Sequence, residues 1–434
     1  MMQPTVMIPK ASANSSVHSG TTRHALLPWY IAHGLAVFMT SVTSNAVYFF
    51  AGYELHESIQ VRLGMAASAG LVYCLAAIFG GLLVDKLGQR RVSSGMAAAC
   101  IPVFFLGAGA VFARNLVALF LFLLLLNLCI GPLWPSIESA ITRCDGKIRL
   151  STRMTLYNLT WSITGFIAAC VVGALASWMS WAGVFVIAAA ISFIVLIIII
   201  RLPAPPSAGT VLQVEDSPDL QQHTGIILNS PRSRKLLHMV WLSNMLAFVA
   251  ANTVTPFMPT ITLALGVKSY ALATAVASIA SLACVGGFVI TTFWTSWHYR
   301  IRWTIIPFST LVCGSVSMLL SQSLLMFVLT QIIYGVSVAM LYSGSIYYSM
   351  HLGAGSAAKA GVHEGLIGIG AALGPGLIAV AGAPDAIAPK AMALLLLILC
   401  AGGTWITRMA HQVRGLTAAE AHNRSSPDDF SHPG

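Results

Sequence analysis

The residues able to do chemistry in this chain are few and mostly uncharged. His33, Asn127, Asn158, Trp161, Asn244, Gln331 and Tyr334 stand inside long apolar runs, each offering a hydrogen bond or a stacking plane rather than a fixed charge. They are candidates for holding a small polar molecule. His33 alone among them titrates near neutrality, so it is also a candidate for proton coupling. Asn158, Trp161 and Gly165 are spaced i, i+3 and i+7 and share one helical face: an amide, a ring and room beside them. Taken singly, such residues more often bond a neighbouring helix than a ligand. Two carboxyls come nearest to the apolar interior, Glu138 and Glu364, both read as level with the ends of their runs. Glu364 follows His363 and is the second proton-coupling candidate, although a Glu in a helix's first turn also serves as a dipole partner. Glu138 is expected to pair with Arg143 or another base of the following loop.

A second pattern is ionic. Gly80-Gly81-Leu82-Leu83-Val84-Asp85-Lys86-Leu87-Gly88-Gln89-Arg90-Arg91 joins two apolar runs by a tight, charged turn. Its glycines let two helices approach. A carboxylate at a helix N-terminus is favoured by about 0.3–1 kcal/mol, a scale suited to a reversible latch. Further along, Gly370, Gly374 and Pro375 lie in a glycine-rich run and read as close packing or as a hinge.

Long helices must position these residues. With 57% hydrophobic and 8% charged residues and a mean hydropathy of +0.81, the chain is too apolar for a water-soluble globule. Runs long enough to cross about 30 Å of hydrocarbon fall at 27–50, 61–84, 92–113, 116–137, 154–175, 182–200, 237–260, 270–293, 303–320, 324–348, 362–382 and 390–407. An all-α membrane protein with twelve transmembrane helices is expected.

The net charge of +10 is an orientation signal rather than a nucleic-acid footprint. If the sides alternate, only Arg62, Arg114, Lys268 and Lys390 of the 23 Lys and Arg fall opposite the amino terminus. The expectation is a multi-pass chain in an inner or plasma membrane, both termini cytoplasmic, with the lipid bilayer as partner and no nucleic acid. Seven of the eight cysteines lie in the runs without a Cys-x-x-Cys spacing and read as buried small hydrophobes, not as disulfides or zinc ligands.

The proline-rich stretch between Arg201 and Lys235 reads as a linker. It divides the chain into a tail at 1–26, a six-helix bundle at 27–200, a linker at 201–236, a second bundle at 237–407 and a tail at 408–434. The bundles echo each other: Asn45 to Phe50 parallels Asn252 to Phe257, Gly80-Gly81 parallels Gly286-Gly287, and Gly165 parallels Gly370, all at a nearly constant offset.

The sequence Gly81-x-x-x-Asp85-Lys86-x-Gly88-Gln89-Arg90 resembles the signature loop between helices 2 and 3 of the major facilitator superfamily, with Gln89 where Arg or Lys is usual. The resemblance implies two pseudo-symmetric six-helix bundles that rock around a central site. It also implies a gate built from Gly81, Asp85, Lys86, Gly88, Arg90 and Arg91, the Asp bonding the cytoplasmic end of helix 11 in one conformation and releasing it in the other. The second-half copy, Phe293 to Arg300, has lost the Asp, so the gate should be asymmetric. The Gly370-x-x-x-Gly374-Pro375 piece resembles the glycine-proline motif of family exporters, which carry it on helix 5; here helix 5 has no such proline. Family drug–proton antiporters place an Arg where Asn127 stands. Helices 1, 4, 7 and 10 surround the central cavity in that architecture.

The function expected is a secondary transporter: a neutral or weakly polar small organic solute moved by alternating access, with protons as the candidate coupling ion. A monomer without cofactor or resident metal is expected. One alternative is a metal-ion carrier of the same fold using His33, His351 and His363; another is a non-transporting receptor or assembly protein. An enzyme is not expected, since His363-Glu364 is followed by Gly365-Leu366-Ile367 without a second His.

Overall fold

The computed structural model describes residues 23–144, 148–205, 230–353, 355–381 and 387–425. Most of the expected amino-terminal tail and linker and the end of the carboxy-terminal tail lie outside the described residues. Among these, every regular element is helical: α1 (Arg23–Tyr53), α2 (Ile59–Leu87), α3 (Gln89–Phe112), α4 (Leu116–Arg143), α5 (Leu150–Arg201), α6 (Pro231–Val254), α7 (Met258–Ala264), α8 (Tyr270–Ala277), α9 (Ile279–Phe293), α10 (Arg302–Leu319), α11 (Leu324–Leu352), α12 (Ala357–Ala381) and α13 (Ile387–Ser425).

Ten stretches are long and apolar enough to cross a bilayer, the 52 residues of Leu150–Arg201 counting once. That run is two spans, because Ser180 at φ 76° interrupts the helix between them. Separating them and adding the 18 residues of α10 accounts for the twelve apolar runs. Side-chain oxygens start several spans: Ser58, Asn115, Ser230 and Ser323 each accept an N–H from the first turn that follows. The turn from α2 to α3 is a single residue, Gly88, at φ 89°, where a Cβ would be strained.

Small residues decide how the spans meet. A Cβ on Gly80 would lie 2.5 Å from Pro132 Cα, and one on Gly131 2.5 Å from Ala76 Cβ, so α2 and α4 touch backbone to backbone. The adjacent Gly81 faces the other way, with Ala357 O 2.4 Å from the position its Cβ would take. Gly70 against Ala371, Gly368 against Cys74 and Gly361 against Ala77 continue that seam between α2 of the first half and α12 of the second. On the outer side Leu71, Leu75, Phe79 and Leu82 form an exposed apolar stripe, a lipid-facing surface. Cys313 and Cys400 are exposed rather than buried, on apolar helices where lipid is the neighbour.

The second half contains two broken spans. Thr255–Phe257, with Pro256, forms a 3₁₀ turn between α6 and α7. The eighth span breaks at Ser278 between α8 and α9.

Candidate functional site

Two cavities of about 270 and 310 Å³ lie between the halves and share Ser41, Asn45, Tyr48, Trp161, Phe248 and Thr255. The first half supplies four of these from α1 and α5; the second supplies Phe248 from α6 and Thr255 from the 3₁₀ turn. Trp161 stacks on Tyr342 with centroids 5.3 Å apart and planes within 3°, which places a flat aromatic wall across the pseudo-symmetry. Of the sequence candidates, Trp161 lines both cavities, Tyr334 lines the first, and Asn127 and Glu364 line the second. The amide of Asn127 donates to Leu123 O (2.8 Å). The Tyr334 hydroxyl has no hydrogen-bond partner. Glu364 is the only carboxylate on either wall among the described residues.

Glu138 and Glu364 do not lie level with the ends of their helices. Because α12 starts at Ala357, Glu364 is about two turns inside it, not in its first turn. Both carboxyls are buried and meet His363 with one ligating atom of each residue within 4.8 Å of the others. Tyr157 donates to Glu138 Oε1 (3.0 Å), and the Tyr73 hydroxyl donates to Glu364 Oε2. His363 Nδ1 is 2.8 Å from Ser345 Oγ, and its Nε2 is 3.9 Å from Glu364 Oε1. The expected Glu138–Arg143 ion pair is absent. Arg143 instead bonds Asp85 at 3.0 Å and Gly355 O at 3.2 Å, reaching away from the interior.

Asp85 closes one end of the seam. Its Oδ1 accepts from Arg143 and from the Ala357 N–H (3.2 Å); its Oδ2 accepts from Ser356 Oγ and the Ala358 N–H, both at 3.0 Å. The carboxylate therefore caps the N-terminus of α12 and neutralises Arg143 at once. Around it Lys86 and Arg91 are exposed, and Arg90 donates to Ile200 O. The corresponding end of the second half is aromatic: Tyr299 stacks on Tyr348 with centroids 4.4 Å apart, and His298 stacks on Tyr347 at 4.5 Å. Burial, aided by the neighbouring His351, pushes the His298 pKa down to about 4. At the far end of α2, Arg62 is buried and donates to Pro256 O (2.9 Å) and Thr260 Oγ1 (3.1 Å), so the halves are tied there too.

Other candidates sit elsewhere. His33 is fully buried, stacked on Tyr157 (4.0 Å) and edge-on to Trp134 (5.9 Å), and lines neither cavity. Asn158 donates to Ser343 Oγ (3.4 Å) and borders a separate cavity of about 210 Å³ with Arg149 and His298. Its shared face with Trp161 thus opens onto two different spaces. Asn244 is buried without a hydrogen-bond partner for either amide atom. Gln331 bridges the break at Ser278, donating to Val276 O (3.1 Å) and accepting from the Ala280 N–H (3.2 Å). Gly370 and Gly374 abut Met245 O and Val249 O of α6, and Pro375 lies within an uninterrupted α12, so close packing is what these positions exhibit. The three histidines of the metal-carrier alternative are apart: His33 meets Tyr157, His351 meets Tyr299, and His363 meets Ser345.

Sequence reasoning missed Tyr73, Tyr157, Tyr342 and Ser345, and the pairing of Glu138 with Glu364. Tyr73 did carry a signal, since Gly70, Cys74, Ala77 and Gly81 flank it at helical spacing and mark the face that meets another helix.

The sequence profile of the Major Facilitator Superfamily matches residues 29–375. No curated protein matches the chain in sequence. Among solved structures, a mutant of the nucleoside transporter NupG is similar at 16% identity, covering 89% of this chain and 99% of that one, with a TM-score of 0.64. A POT family transporter in complex with a thioalcohol-conjugated peptide is similar at 13% identity, covering 90% and 96%, with a TM-score of 0.69. A bacterial homolog of the human lysosomal transporter Spinster, inward-facing and unoccupied, is similar at 16% identity, covering 95% and 100%, with a TM-score of 0.58. At these identities the likeness is one of fold.

Proposed function

The chain belongs to the major facilitator superfamily, and from that premise we propose that it carries a small organic solute, neutral or weakly polar, by alternating access. The observation that carries this reading is the pair of central cavities built from both halves, with walls of amides, hydroxyls and aromatic rings. Cavities of this size hold a molecule of modest dimensions, and a single carboxylate on their walls among the described residues favours a solute without a large net charge. Asn45 and Trp161 are the proposed contacts, one for a polar group and one for a flat or apolar face. The excess of Lys and Arg on the side that carries Asp85 supports a cytoplasmic placement for that end and for both termini. Tied there by Asp85 and packed along α2 and α12, the carrier is then closed towards the cytoplasm.

The test is counterflow of labelled neutral solutes, such as nucleosides, sugars and small peptides, into liposomes containing the purified chain. Exchange of one class, reduced about tenfold or more in Trp161→Ala and Asn45→Ala, is the expected result. Exchange of none, or exchange indifferent to both substitutions, overturns the reading. An imposed pH gradient in the same liposomes separates proton-coupled carriage, whose rate follows the gradient, from facilitated diffusion, whose rate does not.

A further inference from the structure

We propose that Glu138, His363 and Glu364 form a binding site for a divalent first-row metal ion at the seam between the two halves. Each residue contributes one ligating atom, and these atoms lie within 4.8 Å of one another. All three side chains are buried. An ion bound tetrahedrally at about 2.0–2.2 Å sets its ligands about 3.4 Å apart, so the three side chains need close by only about an ångström.

The argument for a ligand lies in how each group is anchored. His363 uses Nδ1 on Ser345 Oγ (2.8 Å), which leaves Nε2 turned towards the carboxyls with no hydrogen-bond partner. An imidazole held by one nitrogen and bare at the other is the usual posture of a metal ligand. Glu138 uses Oε1 on the Tyr157 hydroxyl (3.0 Å), while its buried Oε2 receives no N–H or hydroxyl donor and its carboxyl meets that of Glu364. Glu364 uses Oε2 on the Tyr73 hydroxyl, and its Oε1 faces His363 Nε2 at 3.9 Å. Each residue is thus anchored by a hydroxyl, and the carboxyl oxygens and the bare imidazole nitrogen converge on one space. Two buried carboxyls this close repel one another unless a proton is shared between them, and a bound cation would take that proton's place. Arg143, the guanidinium closest in sequence to Glu138, is held by Asp85 instead.

Two carboxylate oxygens and one imidazole nitrogen, with no thiolate, suit Zn²⁺, Co²⁺ or Mn²⁺ rather than a soft ion. Glu364 lines the 310 Å³ cavity, which supplies the path of entry. Since Glu138 comes from α4 and the other two ligands from α12, the ion would clamp the halves together on the Asp85 side of the cavities. This inference does not depend on which solute is carried.

The experiment titrates Co²⁺ into the full-length chain, free of any polyhistidine tag, and follows visible d–d absorption and melting temperature. One ion per chain is expected, with a higher melting temperature as the ion fills the folded state. Glu138→Gln and His363→Gln should each weaken binding about a hundredfold, and Ser345→Ala, which only frees the imidazole, about tenfold. Melting curves without metal establish that the variants fold. Where a variant fails to fold, Mn²⁺ bound to the unmodified chain supplies the second reading: ¹⁴N coupling from an imidazole in its pulsed EPR spectrum is expected. No binding at about 1 mM metal, undiminished binding in the folded Glu138→Gln and His363→Gln variants, or no ¹⁴N coupling overturns the proposal. None of these readouts measures flux, so their failure would leave solute carriage standing.

Discussion

Trp161 and His298 illustrate how a residue's surroundings set what it can do. Trp161 lies on the walls of both cavities and is braced by Tyr342, so it presents a rigid plane at little entropic cost. Replacing Tyr342 by Leu keeps an apolar side chain but removes the stack; binding of the transported solute should weaken about three- to tenfold in a thermal-shift titration, while Trp161→Phe should be milder. His298 stands outside the spans with its pKa lowered to about 4 by burial and by His351. Its unfolded value is higher, near 6.5, so between those values the unfolded chain binds the extra proton and stability rises with pH. Lowering the pH from about 6.5 to about 4 should therefore reduce the melting temperature by several degrees, and His298→Gln should remove part of that dependence. A melting curve unchanged across this window would contradict the neutral, buried histidine.

Elements meet here through glycines and through side chains that repair broken helices. Gly81 has no room for a Cβ, with Ala357 O 2.4 Å away from that position. Gly81→Val should force α2 and α12 apart at the Asp85 end and raise the accessibility of Ser356→Cys to a membrane-impermeant thiol reagent. By its polarity Gln331 is a candidate substrate contact, yet both ends of its amide are used on the backbone at the Ser278 break. Gln331→Met keeps the volume and loses both bonds, exposing a buried N–H and a carbonyl. A stability loss of about 1–3 kcal/mol is expected in denaturant or thermal unfolding, with affinity for solute little changed. Loss of affinity without loss of stability would return Gln331 to the binding site.

At the scale of the whole molecule, the two halves are tied at both ends and the cavities lie between. Asp85 joins Arg143, Ser356 and two backbone N–H groups of α12, whereas the opposite tie rests on Arg62 with a carbonyl and a hydroxyl. Asp85→Asn removes the charge that strengthens four of these bonds at once. The population of molecules open at that end should rise about tenfold, measured as a longer distance between spin labels placed on α3 and α11 near the latch. An unchanged distance distribution would show that glycine packing alone holds the end closed.

The fold was legible because its signals are local and repeated. Apolar runs of bilayer length, the bias of Lys and Arg, and the charged Gly81–Arg91 turn each express a constraint that acts on one helix or one loop at a time. The boundary at Ser180 fell between two of the apolar runs, but the breaks at Thr255–Phe257 and Ser278 and the early start of α12 escaped the pattern, since hydropathy registers neither a local change of helix geometry nor a polar first turn. The site was much less legible. Asn127, Trp161, Tyr334 and Glu364 do line the cavities, while His33, Asn158, Asn244 and Gln331 are polar in the same way and face elsewhere. Polarity within a span says that a residue needs a partner but not which one. By itself the sequence determined that this chain crosses the membrane repeatedly as paired bundles. Only the tertiary structure decided that Glu138 and Glu364, 226 positions apart in the chain, meet beside His363, because that meeting depends on the rotation of α4 and α12 about their axes and on glycines that let them approach.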